Sequence, residues 1–202
     1  MSNEWDEYAE SWDVDPWVEK YASMAFSELT KTIKLDGLSV LDFGCGTGAL
    51  TQIISAKVKD VVAIDPSSQM IKYLDKKALK NVSTITDFLS EKLISKRSEF
   101  ENKFDLIIAS SVCGFLPNYE ETLGLLKSLL KDGGSFVQWD WLAKEQSADV
   151  GLTKDRVMKA FDVNQLTDVQ ITTPFIMKSS KGSMTVLMAC GKKPDESLKL
   201  NL

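Results

Sequence analysis

Residues 42 to 48 read Asp-Phe-Gly-Cys-Gly-Thr-Gly, three alternating glycines that follow the apolar pair Val40-Leu41. Glycine has no Cβ and takes positive φ readily, so Gly44, Gly46 and Gly48 can turn a strand sharply into a helix and let main chain touch a bulky, nucleotide-like ligand. A second candidate lies at the end of the next apolar run, Val61-Val62-Ala63-Ile64, where Asp65 and Pro66 follow. A carboxylate at the tip of a second strand sits where a ribose diol would lie. The chain has no histidine, which excludes Ser-His and Cys-His catalysis. Its three cysteines, Cys45, Cys113 and Cys190, show neither metal-ligand nor disulfide spacing, so no metal site is expected.

The order of the glycines separates two kinds of site. A dinucleotide site shows G-x-G-x-x-G with a pyrophosphate on the helix start, whereas here Asp42-x-Gly44-x-Gly46-x-Gly48 places an acid where a pyrophosphate would be repelled. This disfavours a nicotinamide-dependent oxidoreductase. The stretch resembles motif I of the class I S-adenosylmethionine (SAM) methyltransferases, and the resemblance runs from about Asp36 to Leu142. It implies that the loop, including Cys45, passes under the amino-acid part of SAM and that Asp42 helps hold its ammonium group. Asp65-Pro66-Ser67-Ser68-Gln69-Met70 is similar to the second motif: Asp65 would accept from both ribose hydroxyls, and Pro66, Ser67 and Met70 would border the adenine. Asp87-Phe88 matches the third position, an acid for the adenine amino group and an apolar neighbour for its ring. Phe104 to Ser110 looks like the fourth strand, with Ser110 close to the reactive methyl, and a tyrosine near Tyr8 reaches the cofactor in many members.

Simpler explanations exist for several of these residues. Asp65 to Ser68 also reads as a turn with a helix cap, and Asp87 as the N-cap of a helix carrying Leu89, Leu93 and Ile94. Gly133-Gly134 reads as a left-handed stop for the helix with Leu123, Leu126 and Leu130. For the acceptor, the sequence offers the loop Ser111 to Pro117, which lacks the histidine common in the family, and Trp139-Asp140-Trp141. Asp140 with its aromatic neighbours is the candidate catalytic residue, receiving an amine through charge and cation–π attraction. Plain core packing is the leading reading of Trp139 or Trp141.

These residues require a particular frame. Asp15-Pro16 reads as a helix N-cap and first position, for a helix running to about Ile33. Strands and helices then alternate from Ser39 to Leu142, giving five mainly parallel strands. A helix over Thr153 to Phe161 is expected to face Val157, Met158 and Phe161 inward. Val169 to Met177 and Met184 to Gly191 read as an antiparallel hairpin. The fold expected is α/β, a doubly wound, mostly parallel seven-stranded sheet with an antiparallel last strand. One domain is expected over 1–202, with an N-terminal helical lid or cap over about 1–35, a Rossmann-like core over 36–191 and a polar tail over 192–202.

Composition narrows the partners. The 202 residues carry a net charge of −5 without a basic run interleaved with aromatics, so nucleic acid is not an expected partner. The longest mostly apolar stretch, Leu106 to Leu116, is too short to span a bilayer, so no membrane partner is expected. Isolated cysteines suit a reducing, cytoplasmic setting. The expectation is a methyltransferase using S-adenosyl-L-methionine on a small-molecule acceptor, the alternative being a non-catalytic cofactor-binding or partner-binding module. Oligomeric state is not legible.

Overall fold

The computed structural model describes residues 3–101, 103–144, 151–179 and 182–195. The chain divides into two compact units, Met1–Glu101 and Asn102–Leu202.

In the first unit two helices, α1 (Asn3–Asp13) and α2 (Pro16–Thr32), precede an alternating run: β1 (Ser39–Phe43), α3 (Ala49–Ser55), β2 (Asp60–Asp65), α4 (Ser68–Lys76), β3 (Val82–Thr86) and the short α5 (Glu91–Ile94). Asp15 Oδ1 accepts from the Trp17 N–H and Pro16 fills the first turn, as the sequence predicts. The three strands pair in parallel, Val40 beside Val61 and Val61 beside Val82. β1 and β2 are apolar and buried almost throughout, as strands covered on both faces must be. The inward face of α3 is part polar: Thr51 and Ser55 are buried with Leu50 and Ile54. The hydroxyl of Thr51 is needed there by a buried acid.

The second unit holds β4 (Phe104–Ser110), α6 (Tyr119–Leu129), β5 (Leu130–Trp141), α7 (Lys154–Val163), β6 (Thr167–Ser179) and β7 (Gly182–Lys192). β4 and β5 run parallel, while β7 is antiparallel to both β5 and β6. Its core centres on Phe104, Tyr119, Phe136, Trp139 and Phe161, the rings of Phe136 and Phe161 lying 5.8 Å apart. The strand order is β3-β2-β1-β4-β5-β7-β6, the mostly parallel seven-stranded arrangement with an antiparallel last strand that the sequence predicts.

Three local expectations are corrected. Gly133 is left-handed, φ +75°, but it lies inside β5 and exchanges no helix-stop bonds; its N–H donates to the Lys193 carbonyl, and the Lys193 N–H to that of Gly134. Met158 is 41% exposed, and Ala160 takes the inward place beside Val157 and Phe161. The polar tail begins later than residue 192, because Lys192 ends β7 and Lys193 pairs with Asp132 at 3.0 Å; residues 196–202 of that tail lie outside the described ones, as do residues 180 and 181 of the β6–β7 connection.

Candidate cofactor-binding site

The strand end of β1 passes into the glycine loop with Gly44, Gly46 and Gly48 at φ +69°, +55° and +81°. The loop is anchored on β2: the N–H groups of Gly44 and Cys45 both donate to the Ile64 carbonyl, at 2.8 and 3.2 Å. Two of the glycines have distinct roles. A Cβ on Gly48 would stand 2.3 Å from Leu74 Cδ1, so this residue lets the start of α3 press against α4. A Cβ on Gly46 would meet nothing nearer than 3.9 Å, where Met70 Sδ and Trp12 Nε1 stand. The loop therefore leaves at Gly46 a hollow that a methyl group would already fill in ordinary contact with Met70 from α4 and Trp12 from α1.

Asp65 closes this hollow at the tip of β2. Its Oδ2 accepts from the Gly46 N–H at 3.0 Å and its Oδ1 from the Ser67 N–H at 2.8 Å. Each oxygen keeps a further lone pair for a donor from a ligand. Burial raises the Asp65 carboxyl from its ordinary value, and the charge of Asp6 adds to the rise, while the two N–H bonds oppose it. Ser67 is buried and caps α4, its Oγ accepting from the Met70 N–H at 3.1 Å. The helix-cap reading thus holds for Ser67 alongside the placement of Asp65 at a strand tip. Pro66 lies between them, half-buried.

The other acids are placed differently. Asp42 is 1% exposed beneath the loop, and Thr51 Oγ1 donates to its Oδ2 at 2.6 Å. Burial pushes this carboxyl up to about 7, against the Thr51 bond and with a smaller push from Asp65. Burial likewise raises the Cys45 thiol, with Asp42 and Asp65 adding to the effect. Asp87 is exposed at the end of β3, its Oδ1 accepting from the Phe88 N–H. It does not cap α5: Ser90 does, through the Leu93 N–H. Phe88 is 54% exposed, a large apolar ring with a free face. Tyr8 on α1 is 56% exposed, its ring 6.3 Å from that of Trp5.

Two residues of this site escaped sequence reasoning. Trp12 reaches Gly46 because α1 carries Trp5, Tyr8 and Trp12 at helical spacing, a periodicity legible in the sequence but read only as a general lid. Thr47 Oγ1 is buried without a hydrogen-bond partner among the described residues. An orphaned hydroxyl inside a glycine loop is a further sign of a polar ligand.

In the second unit Ser110 ends β4 half-buried, and Ser111 follows at φ +59°, a conformation uncommon for serine and associated with functional loops. Asp140 is 1% exposed, with Oδ1 accepting from the Gly114 N–H at 2.9 Å and Oδ2 from Gln138 Nε2 at 3.0 Å. Gln138 Oε1 accepts in turn from the Tyr119 hydroxyl at 2.6 Å. Burial pushes Asp140 up to about 7, partly offset by Gly114 and Gln138. Its carboxylate thus braces the loop after β4 instead of standing open to an acceptor. Trp139 is fully buried, as core packing requires, and Trp141 is half-buried.

A parallel sheet in this strand order, with a glycine loop after β1 and an acid at the tip of β2, defines a Rossmann-like site of the class I methyltransferase type. A family model described as a methyltransferase domain matches residues 17–165, and the chain belongs to that family, whose cofactor is S-adenosylmethionine. It is similar to malonyl-(acyl-carrier protein) O-methyltransferase of Priestia megaterium, 28% identical over 141 residues, 68% of this chain and 49% of that protein. It is also similar to the mitochondrial ubiquinone biosynthesis O-methyltransferase of Rattus norvegicus, 32% identical over 111 residues, 50% of this chain and 30% of that protein. The chain thus spans less than half the length of these curated relatives. Among solved structures, the DhpI-SAM-HEP complex superposes with a TM-score of 0.72 at 16% identity, covering 93% of this chain and 94% of that one. Among the described residues no helix is long and apolar enough to cross a membrane.

Proposed function

We propose that this chain binds S-adenosylmethionine in the hollow at Gly46 and transfers its methyl group to a small-molecule acceptor by in-line displacement. One observation carries the reading: Gly46 presents main chain without a side chain between Met70 and Trp12, and its N–H is held by Asp65, so an acid suited to a sugar and a side-chain-free loop meet at one point. The orphaned Thr47 hydroxyl supports a polar occupant there. The residues present fit an adenosine joined to an amino acid. Gly44 to Gly48, with Cys45, supply backbone for the amino-acid portion, and Asp65 uses its remaining lone pairs for the ribose. Phe88 offers apolar surface for the adenine, Pro66, Ser67 and the buried Met70 border it, Asp87 has an acceptor for its amino group, and Trp12 and Tyr8 belong to the covering helix.

When bound, the cofactor supplies an electrophilic methyl on a sulfonium. The chain's own contribution is alignment and exclusion of water, which together can remove on the order of 7 to 11 kcal/mol of barrier without a histidine. Asp42, tied to Thr51, stiffens the loop from below, and an ammonium group above would favour its ionised form. Asp140 and Ser110 frame the loop after β4, which we assign to the acceptor side. Both curated relatives are named O-methyltransferases; the ubiquinone-biosynthesis name supports a small acceptor, while the other names a malonyl group carried on a protein. All three cysteines are free, in keeping with a reducing, cytoplasmic location.

Incubating the protein with methyl-labelled SAM and a metabolite extract tests the activity. Label in a low-mass product is expected; binding of SAM with no transfer to any fraction would favour a non-catalytic module.

A further inference from the structure

Asp6 lies on α1, outside every motif the sequence singles out, yet its Oδ1 accepts from Ser67 Oγ at 2.5 Å and from the Gln69 N–H at 3.1 Å, 61 and 63 residues away. We propose that Asp6 is a positioning residue for the cofactor site, holding Ser67 so that Asp65 keeps its aim at the ribose. The inference rests on the reading of residues 44 to 70 as the SAM site.

The bonds form an unbroken path. Asp6 takes the Ser67 O–H, the Ser67 N–H goes to Asp65 Oδ1, and Asp65 Oδ2 takes the Gly46 N–H. A single serine thus stands between two carboxylates and gives a donor to each. With its hydroxyl hydrogen committed to Asp6, Ser67 Oγ is fixed in rotation to accept from the Met70 N–H. Turning the Ser67 side chain would release Asp6 and the start of α4 together, and Asp65 is held by the backbone N–H of the residue so anchored. The rest of α1 is fastened along the same helix: Asp13 Oδ1 meets Lys77 Nζ at 2.9 Å just past the end of α4, and Trp12 stands at Gly46 between these fastenings. Docking of α1 and occupation of the hollow accordingly share one residue. Coupling between them must be reciprocal, so a ligand that engages Asp65 tightens α1 and a loosened α1 weakens the ligand.

A cap that merely stabilised α4 would act whether or not Asp65 were present, and a double-mutant cycle separates the two roles. Calorimetric titration with S-adenosylhomocysteine is made on the parent, Asp6→Ala, Asp65→Ala and the double variant, with urea midpoints recorded for each. Asp6→Ala is expected to weaken binding about 10-fold in the parent background and less than about 2-fold when Asp65 is already alanine. Asp6→Asn keeps an acceptor oxygen and is expected to bind within about 3-fold of the parent. Ser67→Ala breaks the same path and repeats the cycle should Asp6→Ala not fold. Equal losses in both backgrounds, no loss in either, or an asparagine variant as weak as alanine would overturn the role of Asp6. A parent that binds neither SAM nor its demethylated product would overturn the SAM reading itself and this inference with it, whereas a binding parent with a flat cycle removes Asp6 alone.

Discussion

At the residue scale, two glycines of one loop do different physical work. Gly48 is enclosed, with a left-handed φ and no room for a methyl beside Leu74. Gly48→Ala is expected to cost about 2 to 4 kcal/mol of stability from strain and overpacking, read as a fall in urea midpoint. Gly46 would hold a methyl in ordinary contact with Met70 and Trp12, so Gly46→Ala is expected to cost only about 1 kcal/mol, the strain of a left-handed alanine, while weakening SAM disproportionately. Asp65→Ala should remove charge-assisted bonds to the ribose worth roughly 1.5 to 3 kcal/mol, seen as a 10- to 100-fold rise in Kd. Asp42 makes a prediction about pH. Its carboxyl is raised to about 7, so between the ordinary carboxylate range and neutrality the folded chain keeps a proton that the unfolded chain has lost. Stability from this group therefore falls as pH climbs through that window and levels off above it, by an amount on the order of a few kcal/mol. Asp42→Asn keeps an acceptor for Thr51 and is expected to make the stability curve less steep between pH 4 and about 7, leaving the slope that the likewise raised Asp140 contributes, and to raise the urea midpoint at pH 8. An unchanged slope would show that Asp42 does not hold that proton.

At the scale of elements, the helices and strands follow from local rules where those rules act alone. β2 and β3 were legible because an apolar run ended at Asp65 and a β-branched run at Asp87, and α2 because Asp15 and Pro16 mark its start. Elsewhere a distant partner decides. Gly133 reads as a helix stop until β7 and Lys193 are brought to it, and Met158 reads as inward until Ala160 is seen to fit closer. Asp87 looked like the helix cap because Ser90, three residues on, had no visible claim. The candidate site followed the same division: the loop and Asp65 were legible from spacing, but Asp6 and Trp12 act on residues more than 30 positions away, which no local pattern encodes. Asp140 was legible as an acid at a strand end, but its enclosure by Gly114 and Gln138 was not. Asn81 is another long-range element clamp, its Nδ2 donating to the carbonyls of Ser55, Val58 and Lys59 at 2.9 to 3.3 Å. Asn81→Ala is expected to destabilise the chain by about 1 to 3 kcal/mol with little change in SAM affinity per folded molecule, which separates a turn that supports β2 from the site at its far end.

At the scale of the whole molecule, the proposed methyl transfer, in a chain of net charge −5 with no histidine, rests on holding groups in place. On the proposed reading such a site recognises its cofactor by shape and a few hydrogen bonds, and an ionised Asp42 beneath the loop is expected to disfavour a pyrophosphate-bearing dinucleotide. The most direct measurement is calorimetric titration of the parent and Gly46→Val with SAM, S-adenosylhomocysteine and NAD. Saturable binding of the first two by the parent, none by NAD, and loss of both in a Gly46→Val variant that still unfolds cooperatively is the expected result. Binding of NAD in place of SAM, or undiminished SAM binding with valine at position 46, would contradict the assignment of the hollow.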